Sequence, residues 1–533
     1  MAYPEPTQVA PWYLRNITQA LELDEATGNV FVRTNAAVIG NVSIGNVAIG
    51  ALGNIDISGN TMPVTVESGN VTVFQGTDPW VVTGNVNVAI TSGNVGLTGN
   101  LAGITSNVSI VDGGGSITVD GNVNATITGG NVATTIGGTN LDAFGRLRVS
   151  EPYTLFDSQN LYIDGDQFSN ITANSGTVTY VSNESSFNLA VTAANGSSVI
   201  RQCRTTQAYQ PGKSLLTMNT FAMATLIAGC RQRVGYFTSA NGVYFEAAGE
   251  TLYLVIRSST TGTVVEERIA QSSWNGDRLT GAGGATNPSG IDLDPTLTQI
   301  FWADIEWLGV GNVRAGFIIN GVFIVCHTFQ HANQAGNTTV YMTTATLNPR
   351  YEITNTSATG GARTMKQICS TVISEGGYNP QTKINYVPTA IAPTRIATGN
   401  VYTALASIRL NPAYPDAVVV PSQIDLLLVD VQYGTFQLVL NASNVVANTG
   451  SWSNAVSSVV QYNTSALQIG DGTVVYSGLT SSRDSLAISE DIKRRLQLSR
   501  TANGTPDILT LCVAYQNNNA DLLWKYGWEE LTN

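Results

Sequence analysis

The chain has 533 residues, 43% of them hydrophobic and only 12% charged, with a formal net charge of −12. That length exceeds one core and leaves room for two or three; the apolar content excludes a charged disordered chain. The acidic balance disfavours a surface that tracks nucleic-acid phosphates, which needs clustered Lys and Arg.

At the N-terminus, Pro11 to Leu23 can open as a short helix with Pro in its first turn. Leu21-Glu22-Leu23 and Val30-Phe31-Val32 flank Asp24 to Asn29 and predict a hairpin. The beginning of the chain lacks a basic stretch followed by an apolar core, so no secretory signal is expected, and no run is long enough to span a membrane. Residues 1–33 are expected to dock the chain onto a larger particle.

Residues 34–140 differ from the rest. No Lys or Arg occurs between Arg33 and Arg146, and Gly-Asn pairs recur at irregular intervals from Gly40 to Gly130. Between them, Val42-Ser43-Ile44, Val71-Thr72-Val73 and Val86-Asn87-Val88 alternate apolar and polar residues. Period two puts the Val and Ile side chains on one face of a short strand, and Gly-Asn supplies the positive-φ positions that reverse it. Strands this short cannot bury their own apolar face. Three identical chains around one axis can, which predicts a homotrimeric shaft.

Residues 141–379 carry closely spaced strand candidates, from Ser186 to Val191 through Val313 to Ile319, and a hairpin at Asn320-Gly321. They predict a large β-sandwich. Pro380, Pro388 and Pro393 punctuate an expected linker, 380–397, before a second sandwich over 398–533, with a short helix near Ser489 to Leu496. The fold expectation is therefore all-β: a trimeric Gly-Asn-rich β-shaft followed by two β-sandwich, jelly-roll-like domains. Five widely separated cysteines suggest neither a zinc site nor a disulfide framework, and buried free thiols are expected.

The junction Asn140-Leu141-Asp142-Ala143-Phe144-Gly145-Arg146-Leu147-Arg148-Val149-Ser150, with Tyr153-Thr154-Leu155-Phe156-Asp157-Ser158-Gln159 after it, resembles virion structural proteins of tailed phages, chiefly those of marine cyanobacteria. Asp304-Ile305-Glu306-Trp307-Leu308-Gly309, Tyr341-Met342-Thr343-Thr344-Ala345 and Arg350-Tyr351-Glu352-Ile353 share the resemblance, as does the shaft phrase Gly76-Thr77-Asp78-Pro79-Trp80. It implies a virion location after assembly in the host cytoplasm, and a tail or neck fibre that contacts other virion proteins and a host surface glycan or protein. It brings no catalytic motif. A capsid-decorating fibre and a glycan-cutting tailspike are the alternatives, and a cell-surface adhesin is disfavoured by the missing export signal.

Asp304 and Glu306, two apart on a strand, would share a face and could form the carboxylate pair of a glycosidase; the polar face of a half-buried strand is the plainer expectation. Asp292 and Asp294 lack the ligand spacing of a calcium loop, and His327 and His331 lie too near a strand for helical spacing to apply. No catalytic residue, metal or cofactor is expected. For receptor binding, exposed loop aromatics suit sugar faces, and Trp274, Tyr378, Tyr414 and Trp452 are the candidates. Trp524, Tyr526 and Trp528 alternate on a terminal strand and are expected in a core or a subunit contact.

The assigned shaft faces can be tested by single-cysteine labelling. Thr72→Cys should react quickly with a soluble maleimide, and Val73→Cys should be protected; the reverse pattern would contradict the inward placement of Val73.

Overall fold

The computed structural model describes residues 21–24 and 29–32, and those from 151 to 531 apart from 163–165, 430–432, 444–451, 465–468, 481–483, 489–492 and 494. The expected shaft, and most of the helix expected near Ser489 to Leu496, lie outside these residues. Compact packing separates residues 1–129 from 130–533. In the first unit, β1 (Leu21–Asp24) and β2 (Asn29–Val32) form the expected antiparallel hairpin, with Leu21 opposite Val32.

The second unit is built of antiparallel strands packed as sheets. Its first sandwich begins with β3 (Tyr153–Ser158), β4 (Phe168–Ala173), β5 (Thr177–Val181), β6 (Ser186–Val191) and β7 (Ser198–Cys203). There follow β8 (Leu215–Ala222), β9 (Cys230–Phe237), β10 (Gly242–Ala248), β11 (Thr251–Ser258) and β12 (Val265–Ala270). The sandwich closes with β13 (Gln299–Ile305), β14 (Val313–Ile319), β15 (Val322–Phe329), β16 (Pro349–Asn355) and β17 (Arg363–Ser374). One sheet has the order β12-β11-β10-β9-β16-β7-β4; the other runs β15-β14-β13-β8-β17-β6-β5, with β3 beside the second half of β17.

Alternation explains which side chains meet. β8 reads buried, half-buried, buried along its whole length, as period two requires of a strand with one face in the core. Between the sheets, Phe245 from one layer meets Phe221, Phe301 and Phe317 from the other, with ring centroids 6.0, 6.2 and 5.0 Å away. Arg201 is fully buried in the same layer. Its Nε donates to Gln367 Oε1 at 2.9 Å, its Nη1 to Asn170 Oδ1 at 2.9 Å, and its guanidinium lies 3.7 Å from the Phe187 ring centre. Asn320 and Gly321 both adopt positive φ, 52° and 77°, as a two-residue hairpin turn needs. At the bulge between β14 and β15, a Cβ on Gly316 would lie 1.9 Å from the Ile324 carbonyl oxygen, so only glycine fits.

The second sandwich starts earlier than the proline spacing suggests. β18 (Thr382–Tyr386) and β19 (Thr394–Ile396), inside the expected linker, pair with the terminal strand β28 (Ala520–Leu531). Proline punctuates this segment without preventing short edge strands, whose outward N–H groups need no partner. The remaining strands are β20 (Thr403–Leu410), β21 (Val419–Leu428), β22 (Gly434–Leu440), β23 (Ser453–Asn454) and β24 (Val460–Asn463). β25 (Thr473–Thr480), β26 (Asp484–Ala487) and β27 (Leu509–Tyr515) complete the set. Trp524, Tyr526 and Trp528 of β28 point into this second core, which shares no buried residue with the first. All five cysteines are free; Cys203, Cys230, Cys326 and Cys512 are buried and Cys369 is half-buried.

Phe245 is the residue on which the first core converges. Phe245→Ala removes a wholly buried ring and should cost about 3–5 kcal/mol, read as a lowered denaturant midpoint at unchanged slope.

Candidate functional site

The two sandwiches meet through polar groups. The segment 497–507 of the second lies along residues 204–206 of the first: Arg500 N donates to Arg204 O at 3.1 Å, and Gln497 Nε2 to Thr206 O at 2.8 Å. Arg204 grips Asp507 with two donors, Nη2 to Oδ1 at 2.6 Å and Nε to Oδ2 at 3.3 Å. Asp507 also accepts from Asn441 Nδ2 at 2.9 Å and from Ser499 Oγ at 2.5 Å. With four donors on one nearly buried carboxylate, its desolvation is offset in place.

Beside this clamp a cleft of about 600 Å³ opens between the sandwiches. Tyr153, Asp157 and Gln167 of the first sandwich and Val475, Arg495 and Gln497 of the second line it. The mixture of donors, acceptors and apolar patches suits a hydroxylated ligand. No local sequence pattern points to it, because Arg204 and Asp507 are 303 positions apart.

A second, smaller cleft of about 440 Å³ holds both Asp304 and Glu306, together with Lys213 and Arg314. The strand ends at Ile305, so Glu306 lies beyond it on an exposed turn. Asp304 is committed to Arg314, its register partner on β14, whose Nε donates to Oδ2 at 3.0 Å. Asp294 accepts from the backbone N and hydroxyl of Thr296 and closes a local turn. Among the described residues no group of three or more His, Cys, Asp and Glu is placed to hold a metal.

The aromatic candidates fall on separate segments, and none lines either cleft. Trp274 is 1% exposed, its indole donating to Ile269 O at 3.1 Å, so it anchors the loop after β12 instead of facing a ligand. Tyr378 is half-buried and stacks on Tyr153 at 5.6 Å, one residue removed from the cleft wall. Trp452 is half-buried beneath Arg409, whose guanidinium lies 4.1 Å from its ring centre. Tyr414 alone is largely open, at 52% exposure.

The two histidines are structural neighbours of loops. His331 stacks on Tyr341 at 3.8 Å, with Nδ1 2.8 Å from Gly311 O. His327 accepts from the backbone N of Asn275 through Nδ1 at 3.2 Å, and burial pushes its pKa down to about 4.

No protein-family model matches the sequence, and no curated protein matches it. Among solved structures, a putative beta-glucanase from Mycobacterium abscessus is 11% identical, covering 41% of this chain and 100% of its own, at a TM-score of 0.29. The CBM2 module of the Lactobacillus casei BL23 phage J-1 evolved Dit is 7% identical, covering 44% of this chain and 100% of its own, at 0.28. A protein of unknown function from Shewanella oneidensis MR-1 is 7% identical, covering 43% and 88%, at 0.28. Likenesses this distant say nothing about function.

His327 gives the fold a defined acid sensitivity. Its folded pKa lies below the unfolded value near 6.5, so its contribution is complete above pH 6.5 and is lost as pH falls toward 4. His327→Asn keeps an acceptor for Asn275 but cannot titrate. The drop in melting temperature between pH 7 and pH 4.5 should be smaller in the variant than in the parent protein.

Proposed function

We propose that the chain is a non-enzymatic structural component of a tailed-phage virion: a homotrimeric fibre that docks through residues 1–33 and turns its sandwiches toward a host receptor or a partner protein. The observation that carries a presenting role is the Arg204–Asp507 clamp, which joins two separately cored sandwiches around an open, polar-lined cleft. A joint of this kind holds a binding surface in one geometry. The cation-free Gly-Asn segment and the resemblance at residues 140–159 support the fibre architecture.

The tailspike alternative draws support from Asp304 and Glu306 lining one cleft. Against it stands the Asp304–Arg314 ion pair, which ties that carboxylate to its register partner on the neighbouring strand instead of leaving it free for a ligand.

Two measurements test the proposal. Sedimentation equilibrium of the full chain should give three times the 56.3 kDa protomer mass, and a monomer at micromolar concentration would overturn the trimer. Incubation with host surface polysaccharide should leave protein bound and release no reducing ends. Release that is abolished by Asp304→Asn or Glu306→Gln would establish the tailspike in place of the fibre.

A further inference from the structure

The outer face of the seven-stranded sheet carries an unusual density of paired charge. Arg231 and Arg233 alternate along β9, Arg350 and Glu352 along β16, and Glu266 and Arg268 along β12, so period two sends all of them to the same side. Glu246 of β10 accepts from Arg231 Nε at 2.5 Å, Arg233 Nε at 2.8 Å and Arg268 Nε at 2.8 Å. Glu266 accepts from Arg231 Nη2 at 2.5 Å and from Arg257 Nη2 at 2.9 Å. Glu352 accepts from Arg233 Nη1 at 2.8 Å and from Arg350 Nε at 2.6 Å.

The network does not balance. Five guanidiniums meet three carboxylates, an excess of two positive charges in a chain whose net charge is −12. Donors outnumber acceptors as well: about 25 guanidinium N–H groups face about 12 carboxylate lone-pair sites. The charges of Arg350 and Arg233 outweigh burial at Glu352 and hold its carboxyl below the usual range. Burial alone would raise Glu266, but hydrogen bonds from Arg257 and Tyr244 and the charges of Arg233 and Arg231 hold it at about 2.

Exposure is uneven across the face. Arg350 and Arg257 are buried, while the side chains of Arg231 and Arg268 are 27% and 33% exposed. On the closed side, Ala502 N of the second sandwich donates to Ser169 Oγ, and Ser169 is the register partner of Gln202, which holds Arg350. At the open end the Arg268 guanidinium lies 4.1 Å from the half-buried ring of Tyr253. Excess positive charge, spare N–H forks and an aromatic flank are what a chain of acidic sugars requires.

We infer that this open, arginine-rich end binds an anionic polysaccharide through its carboxylate or sulfate groups. The inference names the class of receptor for the fibre role proposed above and rests on that role.

Full-length protein is titrated with alginate, dextran sulfate, neutral dextran and polyglutamate at low ionic strength. Alginate, dextran sulfate or both should bind, the pattern telling carboxylate from sulfate recognition. Neutral dextran should not bind, and affinity should fall at about 0.5 M salt. Arg268→Gln, which leaves Glu246 two arginine partners, should weaken binding about tenfold with an unchanged melting curve; Arg231→Gln/Arg268→Gln should weaken it further. Lys525→Gln, on an exposed lysine of the other sandwich, should bind as the parent does. Binding of neither polysaccharide, binding of polyglutamate alone, or parent-like binding by Arg268→Gln would each overturn the inference. If the parent still adheres to host cells in those cases, only the receptor class is wrong; if it does not adhere, the fibre's binding role is lost too.

Discussion

The first sandwich depends on one insertion: β16 lies between β9 and β7 and bonds to both. Those neighbours come from more than a hundred residues earlier in the chain, so this pairing closes a long loop before it returns any stabilisation. Once made, it settles both faces of the sheet together. Tyr351 and Ile353 turn inward to the aromatic core, and Arg350 and Glu352 turn outward between Gln202 and Arg233. A one-residue slip would exchange the two sets, burying two charges in the core and exposing a tyrosine and an isoleucine. The charge network thus doubles as a register lock, because its pairs form only when the hydrophobic layer is also correctly seated.

Between the sandwiches the logic is different. Each core closes on its own residues, and the principal contacts across the joint are hydrogen bonds and one ion pair. Such contacts are directional and add little net stability beyond matching what water would have supplied. They fix the angle between two bodies more than they hold them together. A cleft beside such a joint keeps its shape as long as Arg204 and Asp507 stay engaged.

Strand positions in the first sandwich were legible because alternation and turn chemistry are local. Ser186 to Val191 and Val313 to Ile319 match strands residue for residue, and the Asn320-Gly321 turn sits where its two positive-φ residues require it. The segment 380–397 was misjudged as a linker because proline tolerance on an edge strand depends on which side of the strand faces a neighbour, and that is a tertiary property. Trp274 was misjudged as open for a similar reason: its flanking Ser, Asn and Gly are typical of an exposed loop, but the loop folds its ring under β12. Arg231 and Arg233 sit at alternate positions, as do Arg350 and Glu352, and nothing local in the sequence ties the two pairs together. Only the long-range pairing of β9 with β16 makes them one network, and no window along the chain contains that information.

The buried cysteines have a practical consequence. Desolvation raises Cys203 and Cys230 to about 11 and Cys512 to about 12, so at neutral pH almost none of their thiol is in the reactive thiolate form. Each is also shielded from reagent by the strand layers around it. Alkylation therefore waits for a sandwich to open, and the rate becomes a clock for that opening. With Cys203 and Cys230 in one sandwich and Cys512 in the other, mass mapping of the modified peptides would time the two bodies independently in the same unaltered molecule.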